Sequence, residues 1–541
     1  MHADALYRAV ASRDRRFEGR FIVAVTSTGI YCRPGCPARI PARRNVRFYG
    51  HPAAAEAAGF RACARCRPDA SVWLGTSATV QRALALIDDG ALAGGGDDDV
   101  AQLAERLGIG DRHLRRLFAE HVGASPWAVA QTRRAHFARQ LIDETELPLA
   151  EVAFAAGFAS VRTFNSAVRK AFARTPSELR QRRAARGKKA ASVRPAAAAG
   201  MATRGDEPAA TGIARGKRIG HEAAPKIAGG KPANEPARAT VDSAPASARE
   251  LAAPFADDGA LALTLPFRAP LPWSALLAFL AGRAIPGVEH IAGDVYRRTT
   301  ADGGLVEARA DGSHLRVRLR IPSARGVRDA IERLRRLCDL NADPASIAAV
   351  LARDRALAPA VRALPGLRVP GGWDGFELAV RAVLGQQVSV AGATTLAGRF
   401  VAAFGRPLDV PAPSLTHCFP RADVVAAAGA DEIARAVGMP RARGVALTAL
   451  ATAVADRTLP LDRTLPLDAL VDRLVALPGV GPWTANYLAL RLGEPDAFPA
   501  GDLWLRRALA LDEKALIARA ERWRPFRAYA ALYLWTSENF R

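Results

Sequence analysis

Four cysteines close to the amino terminus have the spacing of a metal site. Three residues separate Cys32 from Cys36, two separate Cys63 from Cys66, and 26 residues lie between the pairs. Two close pairs joined by a short excursion can wrap a tetrahedral Zn²⁺, which favours four thiolate ligands. Free structural cysteines are the alternative. In a reducing compartment such a cluster is more often a metal or catalytic site than a set of disulfides. The sequence therefore predicts one bound zinc.

The chain is strongly basic, and arginines crowd the cysteine cluster. It carries 76 lysine and arginine residues against 53 acidic ones, which gives a net charge of +23. Genomic codon bias can explain the choice of arginine over lysine, but not the excess of basic over acidic residues. This excess indicates a polyanion partner, most often nucleic acid. We expect Arg39, Arg61 and Arg65 to contact DNA beside the cysteines.

A second candidate site lies far along the chain, where a hairpin sequence is followed by an acid. The stretch LPGVGPWTANY at 477–487 reads as a helix-hairpin-helix, in which Gly479 and Gly481 let backbone N–H groups approach a phosphate. A plain turn between helices is the alternative. Downstream, AFPAGDLWLRR places Asp502 just before a helix. This aspartate could be a helix N-cap, a catalytic acid or both.

Aromatic residues near the hairpin are candidates for a base-binding pocket. Trp483 and Tyr487 are four residues apart, so they share one face of the predicted helix. A positively charged ligand could stack on such rings by cation–π attraction. Ordinary core packing is the alternative for each aromatic side chain.

The segments that position these residues divide the chain into two halves. At 541 residues we expect about three or four domains. Residues 184–250 contain no leucine and no aromatic residue, and cannot bury enough apolar surface to fold, so we predict a disordered linker. The halves on either side of it need not touch. The front half contains a strand, FIVAV, and then helices; the back half opens with strands such as ALTLPF and HLRVRLRI and is helical from about 327 onwards.

The helical part of the front half holds two similar helix–turn–helix units. The second helix of each unit is basic, with Arg112 and Arg115 in the first and Arg162 and Arg169 in the second. This composition suits insertion into the major groove of DNA, although glycine turns between packed helices are common without DNA binding.

No apolar run approaches the roughly 20 residues that a membrane span needs. The first residues, MHADALYRAVASRDRRF, have no apolar core of the kind found in a secretory signal. We therefore expect a cytoplasmic protein without a membrane partner.

The cysteine region resembles a known family. The stretches TGIYCRPGCPARIPARRNVRFY and AAGFRACARC closely resemble the N-terminal domain of the Ada adaptive-response family. The resemblance implies that Cys32 is both a zinc ligand and the irreversible acceptor of a methyl group from DNA methylphosphotriesters. It implies that Cys36, Cys63 and Cys66 are the remaining ligands.

The helical units resemble a second family. The run from VAQLAERLG to GFASVRTFNSAVRKAFARTPSELR is similar to AraC-type DNA-binding domains. This resemblance implies binding to promoter DNA and regulation of transcription, with RNA polymerase as a candidate partner.

The back half, from about 258 to 541, resembles AlkA-type helix-hairpin-helix DNA glycosylases. The resemblance rests on PWSALLAFLAGRA, GLRVPGGWDGFELAVRAVLGQQVSV, LPGVGPWTANYLALR, FPAGDLWLRR and RWRPFRAYAALYLWTSE. It implies that Asp502 is the catalytic acid and that Trp535 and Phe279 complete the pocket. Bifunctional relatives hold a Schiff-base lysine where Trp483 stands, so hydrolysis without strand cleavage is expected. The family's leucine wedge is replaced here by Gln387, which we expect to contact DNA.

Together these patterns predict a multidomain protein, mainly α with α+β parts. We expect a monomer that senses DNA methylation and excises alkylated purines such as 3-methyladenine. The alternatives are a regulator whose glycosylase half only binds DNA, and a glycosylase for other damaged bases. The predicted parts are a zinc-binding α/β domain at 1–75, an AraC-type double helix-turn-helix domain at 76–182, a linker at 183–255, an α+β subdomain at 256–367 and an all-α helix-hairpin-helix glycosylase domain at 368–541.

Overall fold

The computed structural model describes residues 3–14, 17, 19–63, 65, 66, 68, 77–92, 97–192 and 259–536. Most of the predicted linker, from 193 to 255, lies outside the described residues. In the described part of the chain, none of the helices is long and apolar enough to cross a bilayer.

The first element group is a small sheet with two helices, as the resemblance to the zinc domain implies. The strands lie in the order β3-β1-β2-β4, with β4 parallel to β2 and the other neighbours antiparallel. The apolar run around β1 forms the centre of this sheet, because both faces of that strand are covered and its first three residues are buried. The elements are α1 (Ala3–Ala11), β1 (Ile22–Val25), β2 (Ile30–Cys32), β3 (Val46–Tyr49), α2 (Pro52–Ala57) and β4 (Arg61–Ala62).

A helical domain follows, built on one long central helix. Both predicted helix–turn–helix units are present, as α4 with α5 and as α7 with α8. The N-caps Ser77, Ser125 and Ser160 each accept a hydrogen bond from a backbone N–H three residues ahead, which fixes where three of these helices begin. The helices are α3 (Ala78–Asp88), α4 (Asp97–Arg106), α5 (Asp111–His121), α6 (Pro126–Glu144), α7 (Leu149–Ala155), α8 (Val161–Phe172) and α9 (Pro176–Ser192).

A buried polar cluster joins the small sheet to the central helix α6. The carboxylate of Glu56 accepts hydrogen bonds from Tyr31 (2.8 Å) and Thr132 (2.6 Å) and lies 2.9 Å from the His136 ring. Burial in a low dielectric strengthens such a network when every member has a partner. The residue before Cys32 is therefore tied directly to the helical domain.

The back half begins with an antiparallel sheet and one helix. The strand order is β5-β9-β8-β7-β6, so β5 is an edge strand. Alternating residues of β9 are buried, which is the period expected of a strand with one covered face. The elements are β5 (Leu261–Pro266), α10 (Trp273–Ala281), β6 (Glu289–Ala292), β7 (Val295–Thr299), β8 (Leu305–Asp311) and β9 (His314–Arg320).

The remainder of the chain is helical apart from one hairpin. The prediction of helices from about 327 to the end is wrong at β10 (Arg406–Ala412) and β11 (Leu415–Cys418), which pair with each other. The helices are α11 (Gly326–Leu337), α12 (Pro344–Leu351), α13 (Ala358–Ala363), α14 (Gly375–Leu384), α15 (Val390–Phe404), α16 (Ala422–Val437), α17 (Arg441–Ala455), α18 (Leu467–Val475), α19 (Pro482–Arg491), α20 (Leu503–Leu509), α21 (Glu513–Ala520) and α22 (Arg527–Thr536).

The expectation that the two halves need not touch is wrong. Side chains of α6 cover the free edge of β5: Gln140 donates to the carbonyl of Thr264 (2.9 Å), and Glu144 accepts from the Thr264 N–H (2.8 Å). The guanidinium of Arg328 on α11 donates to the carbonyl of Ile87 (2.8 Å). Buried residues of α6, α7 and α8 also belong to the same apolar cluster as those of β5, β9 and α11. An exposed strand edge favours such cover.

A buried arginine links the sheet of the back half to its helices. Arg298 on β7 is 1% exposed and donates to both carboxylate oxygens of Glu377 on α14, at 3.2 and 2.8 Å. Its guanidinium also lies over the ring of Trp373 at 4.4 Å and within 3.4 Å of Glu289. Bidentate geometry makes such a pair specific as well as strong.

Replacing Glu377 by alanine should destabilise the back half by about 3–5 kcal/mol, because it leaves the Arg298 charge buried without its main partner. Urea unfolding followed by tryptophan fluorescence would measure the change, since Trp373 stacks on Arg298. The matched control is Glu432→Ala, which removes an exposed ion pair with Arg435 on α16 and should change stability little. Equal effects of the two substitutions would contradict the assigned role.

Candidate functional site

The four cysteines of the predicted metal site come together at one end of the small sheet. Cys32 is the last residue of β2, and Cys63 follows β4, where its N–H donates to the carbonyl of Tyr31 (2.9 Å). All four Sγ atoms lie within 4.8 Å of one another. Tetrahedral Zn–S bonds of about 2.3 Å would place the sulfurs about 3.8 Å apart, so the cluster fits this ion.

The surroundings of the sulfurs also favour a cation. Hydrogen bonds with Cys63 and Cys66, together with burial, raise the pKa of Cys32 far above its usual range. Four thiolates can therefore share this space only when a cation lies among them. Cys36 and Cys66 are buried, whereas Cys63 is half-buried and Cys32 retains 9% exposure.

The arginines predicted to contact DNA lie on exposed surfaces in most cases. Arg39, Arg61 and Arg65 are exposed in the small zinc-site domain. Arg112 on α5 and both Arg162 and Arg169 on α8 are exposed as well. Arg115 is half-buried, and its Nε lies 3.7 Å from a carboxylate oxygen of Asp111 in the same helix.

The hairpin of the back half connects α18 to α19. Gly479 has φ = 76°, in the left-handed region that favours glycine, so the turn itself requires this residue. Gly481 is the N-cap of α19 at φ = −87°, and a Cβ there would meet nothing within 4 Å. Neither backbone strain nor crowding within the chain explains a glycine at 481. Its open side faces solvent at a helix N-terminus without a side-chain cap, which is a place where backbone N–H groups can bind an anion.

The loop that contains Gln387 lies beside this hairpin. Gln387 is exposed at φ = 56° between α14 and α15. Its neighbour Gln386 donates to the carbonyl of Gly479 (2.9 Å) and to Thr484 (3.2 Å). Gln387 therefore projects from a loop that is fixed to the hairpin turn.

Asp502 is both a helix N-cap and the acceptor for two indole groups. One carboxylate oxygen accepts from the Leu505 N–H (2.9 Å) and from the Trp535 indole N–H (3.2 Å). The other accepts from the Trp483 indole N–H (2.8 Å). The side chain is 7% exposed, and three N–H groups that point at a carboxylate form the arrangement that an anion prefers.

The aromatic residues predicted for the pocket do lie together. Trp483 and Tyr487 stack with ring centroids 5.4 Å apart and an interplanar angle of 5°, and Trp535 is 6.4 Å from Tyr487. They line a cavity of about 510 Å³ that also contains Asp502 and Phe279. No lysine lines this cavity in the described residues. The volume is that of a ligand site for a small molecule or a single base.

Three arginines in the cavity wall were not predicted from the sequence. The guanidinium of Arg283 lies 3.8 Å above the Phe279 ring, and Arg491 lies 5.0 Å from the same ring. Arg491 also donates to the Tyr487 hydroxyl (2.8 Å), and Arg381 lines the cavity beside them. Burial by itself would raise the pKa of Tyr487, but Arg491 and Arg283 lower it below its usual value. The spacing Trp483, Tyr487, Arg491 follows one helix face and could have predicted Arg491; nothing local predicts Arg283.

Four protein families match successive parts of the chain. The metal binding domain of Ada matches residues 5–69, and a helix-turn-helix domain matches 103–182. The AlkA N-terminal domain matches 262–374, and the HhH-GPD superfamily of base excision DNA repair proteins matches 380–514.

Relatives cover the whole chain or its parts. The chain is 41% identical over 552 aligned residues to a probable bifunctional transcriptional activator/DNA repair enzyme AlkA of Mycobacterium tuberculosis (strain CDC 1551 / Oshkosh). The alignment covers 99% of this chain and 97% of that protein. DNA-3-methyladenine glycosylase 2 of Escherichia coli (strain K12) is 38% identical over 51% of this chain and 98% of its own length. The bifunctional transcriptional activator/DNA repair enzyme Ada of the same bacterium is 35% identical over 26% of this chain and 39% of that protein.

Purified protein should contain one zinc ion per chain, as measured by elemental analysis. Changing both Cys36 and Cys66 to serine should remove it, because two ligands of a tetrahedral site would be lost. Cys418→Ser is the matched control, since Cys418 is also buried but belongs to the back half, where its sulfur accepts from Arg406 (3.3 Å). Zinc retained by the double variant, or absent from the wild type, would refute the site.

Proposed function

We propose a two-part function for this chain, which belongs to the family of bifunctional transcriptional activators and DNA repair enzymes and joins a DNA-binding regulator to a DNA glycosylase. The back half would hydrolyse the N-glycosidic bond of alkylated purines such as 3-methyladenine. The front half would take a methyl group from a DNA methylphosphotriester and report the damage through transcription. The observation that carries the first part is the cavity in which Asp502 meets Trp483, Tyr487 and Trp535.

Asp502 is suited to stabilise a developing positive charge. An N-alkylated purine is already a good leaving group, so the demand on the protein is to stabilise the sugar oxocarbenium ion and to orient water. Asp502 presents a carboxylate that three N–H donors hold in one orientation. A preorganised charge in a site sheltered from water is the most effective way to stabilise such a transition state. The carboxylate would also position or deprotonate the attacking water.

The cavity favours hydrolysis over strand cleavage. A lyase reaction needs an amine that attacks the sugar carbon and forms a Schiff base. Trp483 stands at the position where bifunctional relatives hold that lysine, and its indole N–H is already used by Asp502. The ring is 41% exposed and stacked on Tyr487, so it is placed to contact a flipped base.

Backbone groups and basic helices outside the cavity would bind the DNA. The hairpin at Gly479 and Gly481 offers N–H groups to a phosphate at the start of α19. Gln387, on the adjoining loop, would fill the space that a flipped base leaves in the duplex. Exposed arginines of α5 and α8 suit the major groove of promoter DNA.

In the sensor, the methyl group would pass from phosphate oxygen to sulfur. The thiolate of Cys32 attacks the methyl carbon, a C–S bond forms, and the C–O bond breaks. The electron pair stays on the phosphate oxygen, which restores an anionic diester, while the thiolate becomes a neutral thioether. When bound, zinc keeps the cysteine thiolates deprotonated and hence nucleophilic.

Methylation would change the affinity of the sensor for DNA through charge. The transfer removes one negative charge from the cysteine cluster. At about 6 Å from a phosphate and an effective dielectric of 20, one charge is worth about 3 kcal/mol of repulsion. This corresponds to about a hundredfold gain in affinity before salt screening.

Asp502→Asn should reduce the release of 3-methyladenine by a factor on the order of 10² or more, because the negative charge that stabilises the oxocarbenium ion is lost. DNA binding should persist, since the change removes a charge that repels phosphate. A base-release assay on methylated duplex DNA, with a parallel binding measurement, would test this.

The control for Asp502→Asn is Asp512→Asn. Asp512 caps α21 by accepting from the Ala515 N–H (2.8 Å) but has no indole donors and lies at the surface. This variant should release base at the wild-type rate. If base release is undiminished in Asp502→Asn, the mechanism is wrong, and a regulator whose glycosylase half only binds DNA becomes the better interpretation.

Exposure of the protein to duplex DNA with one methylphosphotriester should add a single methyl group to Cys32, as located by mass spectrometry. The methylated protein should bind promoter DNA more tightly, with a smaller gain at high salt. Cys63 is more exposed than Cys32, so alkylation that followed exposure alone would fall there. A methyl group on Cys63 would therefore refute the assignment, and Cys32→Ser should remain unmethylated.

A further inference from the structure

The cavity around Asp502 carries more positive charge than a pocket for cationic bases requires. Arg283, Arg381 and Arg491 all line it, and Arg283 and Arg491 both reach the Tyr487 hydroxyl. No carboxylate lies within 4.0 Å of any of these three guanidinium groups in the described residues. Burial is the main cause that lowers the pKa of both Arg283 and Arg381, and the charge of Arg491 lowers both further.

The acids nearest to these arginines share a further cation, Arg298. Glu377 and Glu289 both line the cavity, but each is paired with Arg298, at 2.8 and 3.4 Å. Glu289 also accepts from the Tyr296 hydroxyl at 2.6 Å. With Arg298 included, four guanidinium groups surround three carboxylates, so the wall keeps one net positive charge, and Asp502 is the acid without an arginine partner.

Arg283 retains donors that the protein does not use. Arg491 places each of its three nitrogens on an acceptor, namely the carbonyls of Pro370 and Gly371 and the Tyr487 hydroxyl. Arg283 donates through one terminal nitrogen to the Phe279 carbonyl (3.2 Å), and it shares Tyr487. A guanidinium has five N–H donors in a fixed fork, so Arg283 can still donate to a ligand.

The position of Arg283 corrects the role predicted for Phe279. The sequence-based expectation was that Phe279 would attract a cationic base to its ring face. That face is covered by the Arg283 guanidinium at 3.8 Å, with Arg491 5.0 Å from the ring centre. A second cation on this ring would meet two like charges, so Phe279 instead holds Arg283 in place by cation–π contact.

The geometry of α19 sets which edge of a base would meet Arg283. Trp483 binds Asp502, where the sugar must lie, and Arg491 is two turns further along the same face, about 12 Å away at 1.5 Å per residue. Because the sugar is attached to the five-membered ring of a purine, the edge that points along this face is that of the six-membered ring, which carries the substituents at carbons 2 and 6. In guanine and hypoxanthine only carbon 6 bears an oxygen. A carbonyl there accepts hydrogen bonds from a guanidinium, whereas an amino group offers only donors.

We propose that Arg283, held by Phe279 and supported by Arg491, is a specificity determinant that favours damaged purines with a carbonyl oxygen at carbon 6 over those with an amino group. This inference rests on the proposed glycosylase function and deepens it. Arg283 contributes a charge-assisted hydrogen bond to the 6-carbonyl, and its charge disfavours a cationic base at the same place. Asp502 acts on the sugar in the same way for every substrate.

Three substrates separate the hydrogen bond from the charge. Hypoxanthine is neutral with a 6-carbonyl, 7-methylguanine is cationic with a 6-carbonyl, and 3-methyladenine is cationic with a 6-amino group. Single-turnover release of each base from otherwise identical duplexes should be measured with the full-length protein and with Arg283→Gln. We expect the variant to release hypoxanthine about 10- to 100-fold more slowly, which is the cost of one hydrogen bond to a charged donor. The loss for 7-methylguanine should be smaller, because removal of the Arg283 charge partly offsets the lost hydrogen bond. Release of 3-methyladenine should be unchanged or faster.

Two further variants make the test decisive. Arg283→Lys keeps a charge and the alkyl stem over Phe279, and it should retain part of the preference. Arg435→Gln removes an exposed arginine of α16 and should leave all three rates unchanged. An equal loss for all three bases in Arg283→Gln and Arg283→Lys, or no loss, would overturn the role of Arg283. If the wild type released none of the bases, the proposed glycosylase function itself would fail.

Discussion

The excision cavity depends on one buried ion pair. Arg298 on β7 donates two hydrogen bonds to Glu377 on α14, and so joins the sheet of the back half to its helical part. The cavity is assembled across this joint: α10 supplies Phe279 and the turn after it supplies Arg283, whereas the helical part supplies the stacked aromatics and Asp502. A charge this deeply buried is tolerated only with a full set of partners. The same arginine therefore fixes the two parts and offsets one of the two acidic charges behind the pocket, so that the three arginines of the lining leave its wall with one net positive charge.

Helix α19 concentrates several tasks on one face. Its N-terminus is the open end of the hairpin, and Trp483, Tyr487 and Arg491 follow at intervals of four residues. Trp483 orients the Asp502 carboxylate, Tyr487 offers a stacking surface, and Arg491 adds positive charge to the inner wall of the cavity. Asp502 similarly combines two roles, because the oxygen that caps α20 also accepts from Trp535. Capping and the proposed catalytic role are compatible, since both need a fixed carboxylate.

Helix α6 connects the two halves of the chain. Near its middle, Thr132 and His136 join Glu56 and Tyr31, the residue that precedes Cys32. At its end, Gln140 and Glu144 cover the edge strand of the glycosylase half. The regulatory half and the glycosylase half are thus packed on a single element rather than tethered by a linker alone. Their shared apolar cluster makes this a folded interface as well as a polar one.

The sequence alone determined the features that depend on short-range patterns. Cysteine spacing predicted the cluster of four sulfurs, the LPGVG turn predicted the hairpin, and Trp483 and Tyr487 were placed on one face by helical periodicity. The tertiary structure decided which residues that are distant in sequence come into contact. The apposition of Arg283 and Phe279 to Arg491, the bond from Trp535 to Asp502, and the cover of β5 by α6 all join distant segments. Local propensity carries no information on such contacts, because they are set by burial and by the pairing of buried charges, which exist only once the chain has folded.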